Sequence, residues 1–271
     1  DGHLMAGLAP KGVPRGLKGL MHPFHFNDLD RLKAIAKEHG PNLAAIVMEP
    51  VRNMPEPGFL EAVRQIASEV GAVLLFDEIT AGFRFNTGGS HMTLGVEPDI
   101  AVFAKALGNG YPISAIIGRA EVMAAVQDTF ISSTSWTERT GPASGVASVT
   151  KHREKNVGAH LVRIGGRVLT GWDQAAKDAG LKLTTWGIAP LAHFTLEAPN
   201  PRMLRTLFTQ LMLDRGYLAK DALYVMYAHT DAHVDGFLAA CADVFGILAQ
   251  ALKNDTVEKQ LRGPVAHTGF Q

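Results

Sequence analysis

Three side chains able to act as acid, base or nucleophile recur at one spacing: Glu49, Asp77 and Lys105 stand 28 residues apart in turn. Each follows a short apolar run, at residues 43–48, 72–76 and 100–104. A lysine enclosed by Phe103-Ala104 and Ala106-Leu107 is in apolar company that favours a neutral amine over an ammonium. A neutral amine condenses with an aldehyde to form a Schiff base. An acid on the same rim, two strand-lengths away behind Leu74-Leu75-Phe76, can hold a cationic partner. A protonated pyridine nitrogen is such a partner, and pyridoxal phosphate (PLP) needs both contacts. Acids and lysines at strand ends are also ordinary, so spacing alone does not separate a cofactor site from solvated strand ends.

The elements that must position these groups follow from periodicity. The three apolar runs read as strands buried on both faces, with a fourth at residues 113–118. Amphipathic helices alternate with them. One is capped by Asn27, carries Leu29, Leu32, Ile35 and Ala36, and stops at His39-Gly40-Pro41. The next starts at Pro57, lines up Phe59, Leu60, Val63, Ile66 and Val70, and closes at Gly71. This alternation predicts an α/β domain around a mostly parallel sheet, whose ligands sit beyond the carboxyl ends of the strands. Glu49, Asp77 and Lys105 then share one rim. Farther on, residues 141–179 read as helix with a break near Asn156-Val157-Gly158, followed by strands at 181–185 and 191–196 and helices at 203–213 and 231–252. The expected division is residues 1–156 as a large domain and 157–271 as a smaller α+β domain.

Composition bounds the function. At ~150 residues per domain, 271 residues suffice for two. Apolar residues make up 46% and charged residues 19%, which is globular rather than disordered. Lys and Arg number 26 and so do Asp and Glu, leaving no basic excess to drive nucleic-acid binding. The one cysteine, Cys241, excludes an internal disulfide framework or a Cys-rich metal site and points to the cytosol. Uninterrupted apolar runs fall far short of the ~18 residues of a membrane span. The chain opens on Asp1 and a stretch rich in Gly, Pro and His, and is expected to be part of a longer polypeptide.

The run Val73-Leu74-Leu75-Phe76-Asp77-Glu78-Ile79-Thr80-Ala81-Gly82-Phe83-Arg84, then Gly88-Gly89, Pro98-Asp99-Ile100 and Ala104-Lys105-Ala106-Leu107-Gly108-Asn109-Gly110-Tyr111-Pro112, closely resembles class III aminotransferases, which are fold type I PLP enzymes. Within them it looks most like the glutamate-1-semialdehyde aminomutase branch. The resemblance extends from Glu49-Pro50-Val51 to Ala228-His229-Thr230. It implies a three-layer large domain, a homodimer, small amino and carbonyl substrates, and PLP as cofactor. By the same resemblance Lys105 is the Schiff-base lysine, Asp77 the acid at the pyridine nitrogen, and Ile79 the aliphatic residue on one ring face. Thr137 matches the threonine donated to the neighbouring subunit's phosphate, although Trp136-Thr137-Glu138-Arg139-Thr140-Gly141-Pro142 departs from the usual setting. Asn53 matches the asparagine at the ring hydroxyl, in a shortened loop. The upstream stretch that supplies a phosphate loop and an aromatic ring-stacking residue in the family is not identifiable, so the chain alone is expected to hold PLP poorly. An aminomutase shift on the same lysine and acid, and a non-catalytic fragment, are the alternatives.

Other candidates read as scaffold. His229 and His233 have the i, i+4 spacing of a metal pair but lack a third ligand, which favours a helix start. His22 and His25 read as loop. Gly108-Asn109-Gly110 and Thr87-Gly88-Gly89 fit neither a dinucleotide nor a P-loop pattern and read as turns. Cys241 reads as core, and Arg84 and Arg139 as solvated surface with a substrate-carboxylate clamp as the alternative.

Overall fold

The structure, a computed structural model, describes residues 11–134 and 137–267. It divides into two compact units, Phe26–Arg163 and the described residues from Ile164 onward together with 11–25.

The first unit is built on a four-stranded sheet. Helix α1 (Leu29–His39) precedes strand β1 (Ala45–Met48), and α2 (Phe59–Val70) leads to β2 (Val73–Asp77). A loop and the short α3 (His91–Leu94) lead to β3 (Ile100–Phe103), then β4 (Ala115–Gly118), α4 (Ala120–Met123) and α5 (Thr140–Glu154). The strands lie in the order β1-β2-β3-β4, the first three parallel and β4 antiparallel to β3. The α1 cap is Asp28, whose carboxylate accepts the Arg31 N–H at 3.0 Å, and not Asn27. Asn27 has φ 66° and turns its Oδ1 to the Glu56 N–H instead, joining two loops. Gly71, at φ 73°, ends α2 in the left-handed conformation that glycine adopts without a Cβ penalty.

Burial on both sheet faces is not what the structure shows. Ile46, Leu74, Phe76, Ala101 and Phe103 are buried, whereas Val73, Leu75 and Val102 are half-buried and Val47 is 56% exposed. Parallel strands in sequential order, joined by right-handed crossovers, place every crossover on the same side. Accordingly α2 packs against β2 and the His91 ring packs against Phe76, on the Leu74/Phe76 face. Among the described residues the opposite face receives no crossover.

The second unit comprises most of α6 (Val157–Ala179), a three-stranded antiparallel sheet of β5 (Leu183–Trp186), β6 (Leu191–Leu196) and β7 (Ala222–Tyr224), α7 (Pro201–Asp214) and α8 (Asp231–Lys253). The three-residue β7 is too short to leave a periodic signal. Its core is aromatic: Phe194 meets Trp172, Phe208 and Phe245 edge-on at 4.9–5.8 Å between ring centroids. By length and composition α8 could cross a membrane, a property that uninterrupted runs miss. Its apolar side, including Phe237, Cys241, Val244, Phe245 and Leu248, is buried, while Asp235 and Asp243 pair with Arg167 and Arg215.

Asp99, just before β3, ties the first unit together. Its buried carboxylate accepts from the Leu74 N–H at 2.7 Å, Arg64 at 2.7 Å and Arg119 at 3.0 Å. Burial pushes this carboxyl up, but the Leu74 N–H and the two guanidiniums outweigh it and hold it below its ordinary value. Its stabilising contribution is therefore complete above about pH 3.9 and disappears as pH falls through the lowered folded value. Asp99→Ala is expected to cost about 2–3 kcal/mol, measured by urea unfolding, because it strands a buried N–H and removes two charged partners.

Candidate active site

Asp77 is the last residue of β2 and pairs in register with Val102 of β3. Lys105 follows the end of β3 by two residues and opens a tight turn, Lys105–Leu107. The acid and the amine therefore leave adjacent strands, rather than strands two apart. Glu49, one residue past β1, stands on the same rim: burial raises its pKa, Arg52 at 3.2 Å opposes the shift, and Asp77 and Lys105 push it up and down respectively. The three groups share one electrostatic field.

Lys105 itself is exposed, contrary to the apolar enclosure expected from its neighbours, since Ala104, Ala106 and Leu107 are only half-buried. What distinguishes it is the backbone, at φ +47°, a left-handed conformation costly for a side chain with a Cβ. Helix α5 holds this turn. The Ser148 hydroxyl donates to the Ala106 carbonyl at 3.1 Å, and Ser144 to the Gly108 carbonyl at 2.6 Å. Neither serine stands out in the sequence, though their i, i+4 spacing beside Gly141 and Gly145 marks a small, polar helical face. The Lys105 ammonium donates to Thr80 Oγ1 at 2.6 Å.

Thr80 belongs to the loop that leaves Asp77. The Ile79 N–H donates to Asp77 Oδ1 at 2.9 Å, which sets the half-buried Ile79 next to the acid. Glu78 points the other way and is 1% exposed. It accepts from Ser90 Oγ (2.8 Å to Oε2) and from the His91 N–H and Nδ1–H (2.9 and 2.8 Å). Gly89 is required beneath this clasp, because a Cβ there would overlap the His91 ring and lie 3.0 Å from Glu78 Oε1. On the far side of the loop, His152 of α5 donates from Nε2 to the Phe83 carbonyl at 3.0 Å and accepts from the Thr87 hydroxyl at Nδ1, at 2.9 Å.

Asn53 and Thr137 are both exposed, and Trp136 lies outside the described residues. Glu138, two residues before α5, turns its carboxylate onto the helix start, accepting from the Thr140 and Gly141 N–H groups at 2.8 and 3.3 Å. An anion would have to displace that carboxylate to use those donors. The donor set thus fits the ring end of PLP, with an amine and an acid on adjacent strand ends, but not an assembled phosphate end. His229 and His233 turn Nδ1 to the N–H groups of Met226 and Thr230, and Thr230 caps α8 in return. They form a helix start, and no cluster of three metal-ligating side chains occurs among the described residues. His22 and His25 lie in a loop. Arg84 Nε donates to the Thr80 carbonyl at 3.1 Å and braces the loop, while Arg139 is exposed. Cys241 is 0% exposed, and burial pushes its thiol up to about 12, which leaves it unreactive core.

Comparison with known sequences gives this rim a context: the profile of the aminotransferase class-III family matches residues 23–138. Over these residues the chain is similar to the class III aminotransferases. The chain is 32% identical over 233 residues to the 3-aminobutyryl-CoA aminotransferase of Cloacimonas acidaminovorans, covering 81% of this chain and 56% of that protein. It is 34% identical to the glutamate-1-semialdehyde 2,1-aminomutase of Desulforudis audaxviator, over 81% of this chain and 56% of the relative. Among solved structures it matches the PLP internal aldimine form of the FumI protein of Sphingopyxis sp. MTA144 with a TM-score of 0.79 at 25% identity, over 85% of this chain and 58% of the other. It also matches the β-phenylalanine aminotransferase of Variovorax paradoxus, with a TM-score of 0.75 at 25% identity, over 84% of this chain and 58% of the other. The architecture is thus that of the fold type I, PLP-dependent transaminases. The chain spans 56–62% of the length of the curated relatives it matches.

The His152 contacts predict a pH response. Burial, only partly offset by the Phe83 carbonyl, holds this imidazole below its ordinary value and keeps it neutral. Its contribution is complete above the unfolded value of about 6.5 and is lost as pH falls from there through the folded one. His152→Gln, which keeps a donor and an acceptor, should flatten the drop in unfolding midpoint between pH 7 and 5.

Proposed function

We propose that this chain carries the cofactor-ring side of a PLP-dependent class III aminotransferase that transfers an amino group between small amino and carbonyl compounds. The observation that carries the reading is the emergence of Asp77 and Lys105 from the carboxyl ends of adjacent parallel strands, in one field with Glu49. PLP, when bound, supplies an aldehyde carbon to take up the amino group and a ring to accept the electrons of a substrate carbanion. Lys105 would hold it through Nζ, and its amine is the base placed to move a proton at the substrate α-carbon. The Asp77 carboxylate would hold a proton on the pyridine nitrogen and so keep the ring electron-accepting. Ile79, fixed to Asp77 through its own N–H, would cover one ring face. Asn53 at the ring hydroxyl and Thr137 at a phosphate, across a homodimer interface, complete the reading, with the cytoplasm as compartment.

A second reading, an aminomutase of the glutamate-1-semialdehyde type, uses the same lysine and acid, and identities of 32–34% to such enzymes stand beside the 32% to an aminotransferase. Product analysis with amino donors separates the two.

The test is addition of PLP to the full chain, reduction with borohydride and mapping of the adduct by mass spectrometry. The adduct is expected on Lys105 and absent in Lys105→Ala. Asp77→Asn should weaken PLP binding about 10- to 150-fold, the worth of one charge-assisted hydrogen bond. An adduct on other lysines, or wild-type affinity in Asp77→Asn, overturns the assignment.

A further inference from the structure

Lys105 bears a flexible four-carbon stem and is exposed, so nothing in its own packing settles where the amine lies. Among the described residues its hydrogen-bond partner is not an acid but a hydroxyl, Thr80 Oγ1, at 2.6 Å. Thr80 is 5% exposed, and its β-branched side chain is stiff. Its backbone is fixed from both sides. The Thr80 carbonyl accepts from Arg84 Nε, the Ile79 N–H is bound to Asp77, and the Gly82 N–H donates to the Glu78 carbonyl at 2.8 Å. Gly82 is pressed so closely on Phe103 that a Cβ would lie 2.8 Å from its ring. The buried Glu78 clasp on Ser90 and His91 closes the loop. The hydroxyl is thus the rigid member of the pair and the amine the mobile one.

We propose that Thr80 is a positioning residue for the Lys105 amine, holding Nζ on the Asp77 side of the rim in both its charged and neutral forms. The inference rests on the reading of Lys105 as the PLP-binding lysine. A hydroxyl suits the task because it accepts a hydrogen bond from an ammonium and donates one to a neutral amine. A carboxylate in its place would favour the ammonium alone. An amine that must bind an aldehyde carbon and later carry a proton passes through both forms, so its anchor has to serve both.

Two readouts on the full chain test this. The first is trace acetylation with acetic anhydride, in which the labelling of Lys105 relative to the other lysines is read by mass spectrometry without PLP. Thr80→Val keeps the shape and removes the hydroxyl, and should raise relative labelling of Lys105 about fivefold, whereas Thr80→Ser should stay within about twofold of wild type. The second is the borohydride-trapped yield of PLP on Lys105, which should fall about fivefold in Thr80→Val and recover in Thr80→Ser. Unfolding midpoints identify a variant that fails to fold, and Thr80→Ala then serves as the second hydroxyl-free substitution. Unchanged labelling and yield without the hydroxyl, or a Thr80→Ser variant as impaired as Thr80→Val, overturns the proposal while leaving Lys105 as the PLP lysine. A wild-type adduct that maps to other lysines overturns both.

Discussion

The parallel register between Val73–Asp77 and Ile100–Phe103 is the constraint on which the rest of the site depends. Pairing Asp77 with Val102 sets the acid at one strand end just before the turn that presents Lys105 from the next. A slip of one residue would turn Asp77 into the buried face that Leu74 and Phe76 now fill and turn those two out to the opposite face. The register is secured at the other end of the same strands. There Asp99 accepts the Leu74 N–H and gathers Arg64 and Arg119, a buried charge that is tolerable because it has three donors. One acid at the amino ends of the strands thus sets where another acid emerges at their carboxyl ends.

The two consecutive acids Asp77 and Glu78 illustrate how alternation along a chain divides labour. Asp77 stays at the half-buried rim, while Glu78 turns inward and becomes the clasp that closes the loop on Ser90 and His91. The loop then rests on α5, where Ser144, Ser148 and His152 recur at four-residue spacing and so lie along one helical face. The first two hold the strained Lys105 turn, and the third holds Phe83, itself at φ 61°. A single helical face therefore supports both segments that meet at the Lys105–Thr80 contact.

The second unit is organised by different physics. Its interior is a set of edge-on aromatic contacts around Phe194, and its polar residues serve helix ends and ion pairs. The histidine pair at the start of α8 shows why spacing alone misleads. Residues four apart suit a metal only when their ring nitrogens converge, and here both Nδ1 atoms are turned to backbone N–H groups.

The sequence by itself determined the order of the longer elements, though not α3, α4 or β7, the α/β character of the first unit, the helix break at Asn156 and the placement of Asp77 and Lys105 at strand ends. These are local properties, set by apolar periodicity and by glycine and proline chemistry, and the motif around Asp77 and Lys105 carried the family. Only the tertiary structure decided that the acid and the amine share adjacent strands, because strand order is not written in periodicity. It likewise decided that one sheet face lacks a crossover among the described residues, that Lys105 is exposed, and that Thr80 accepts from its amine while Ser144 and Ser148 brace its turn. Whether a lysine among alanines is enclosed depends on what packs over the turn. Whether a serine or threonine holds a functional group depends on contacts 25 to 42 residues away in the chain, which no local pattern records.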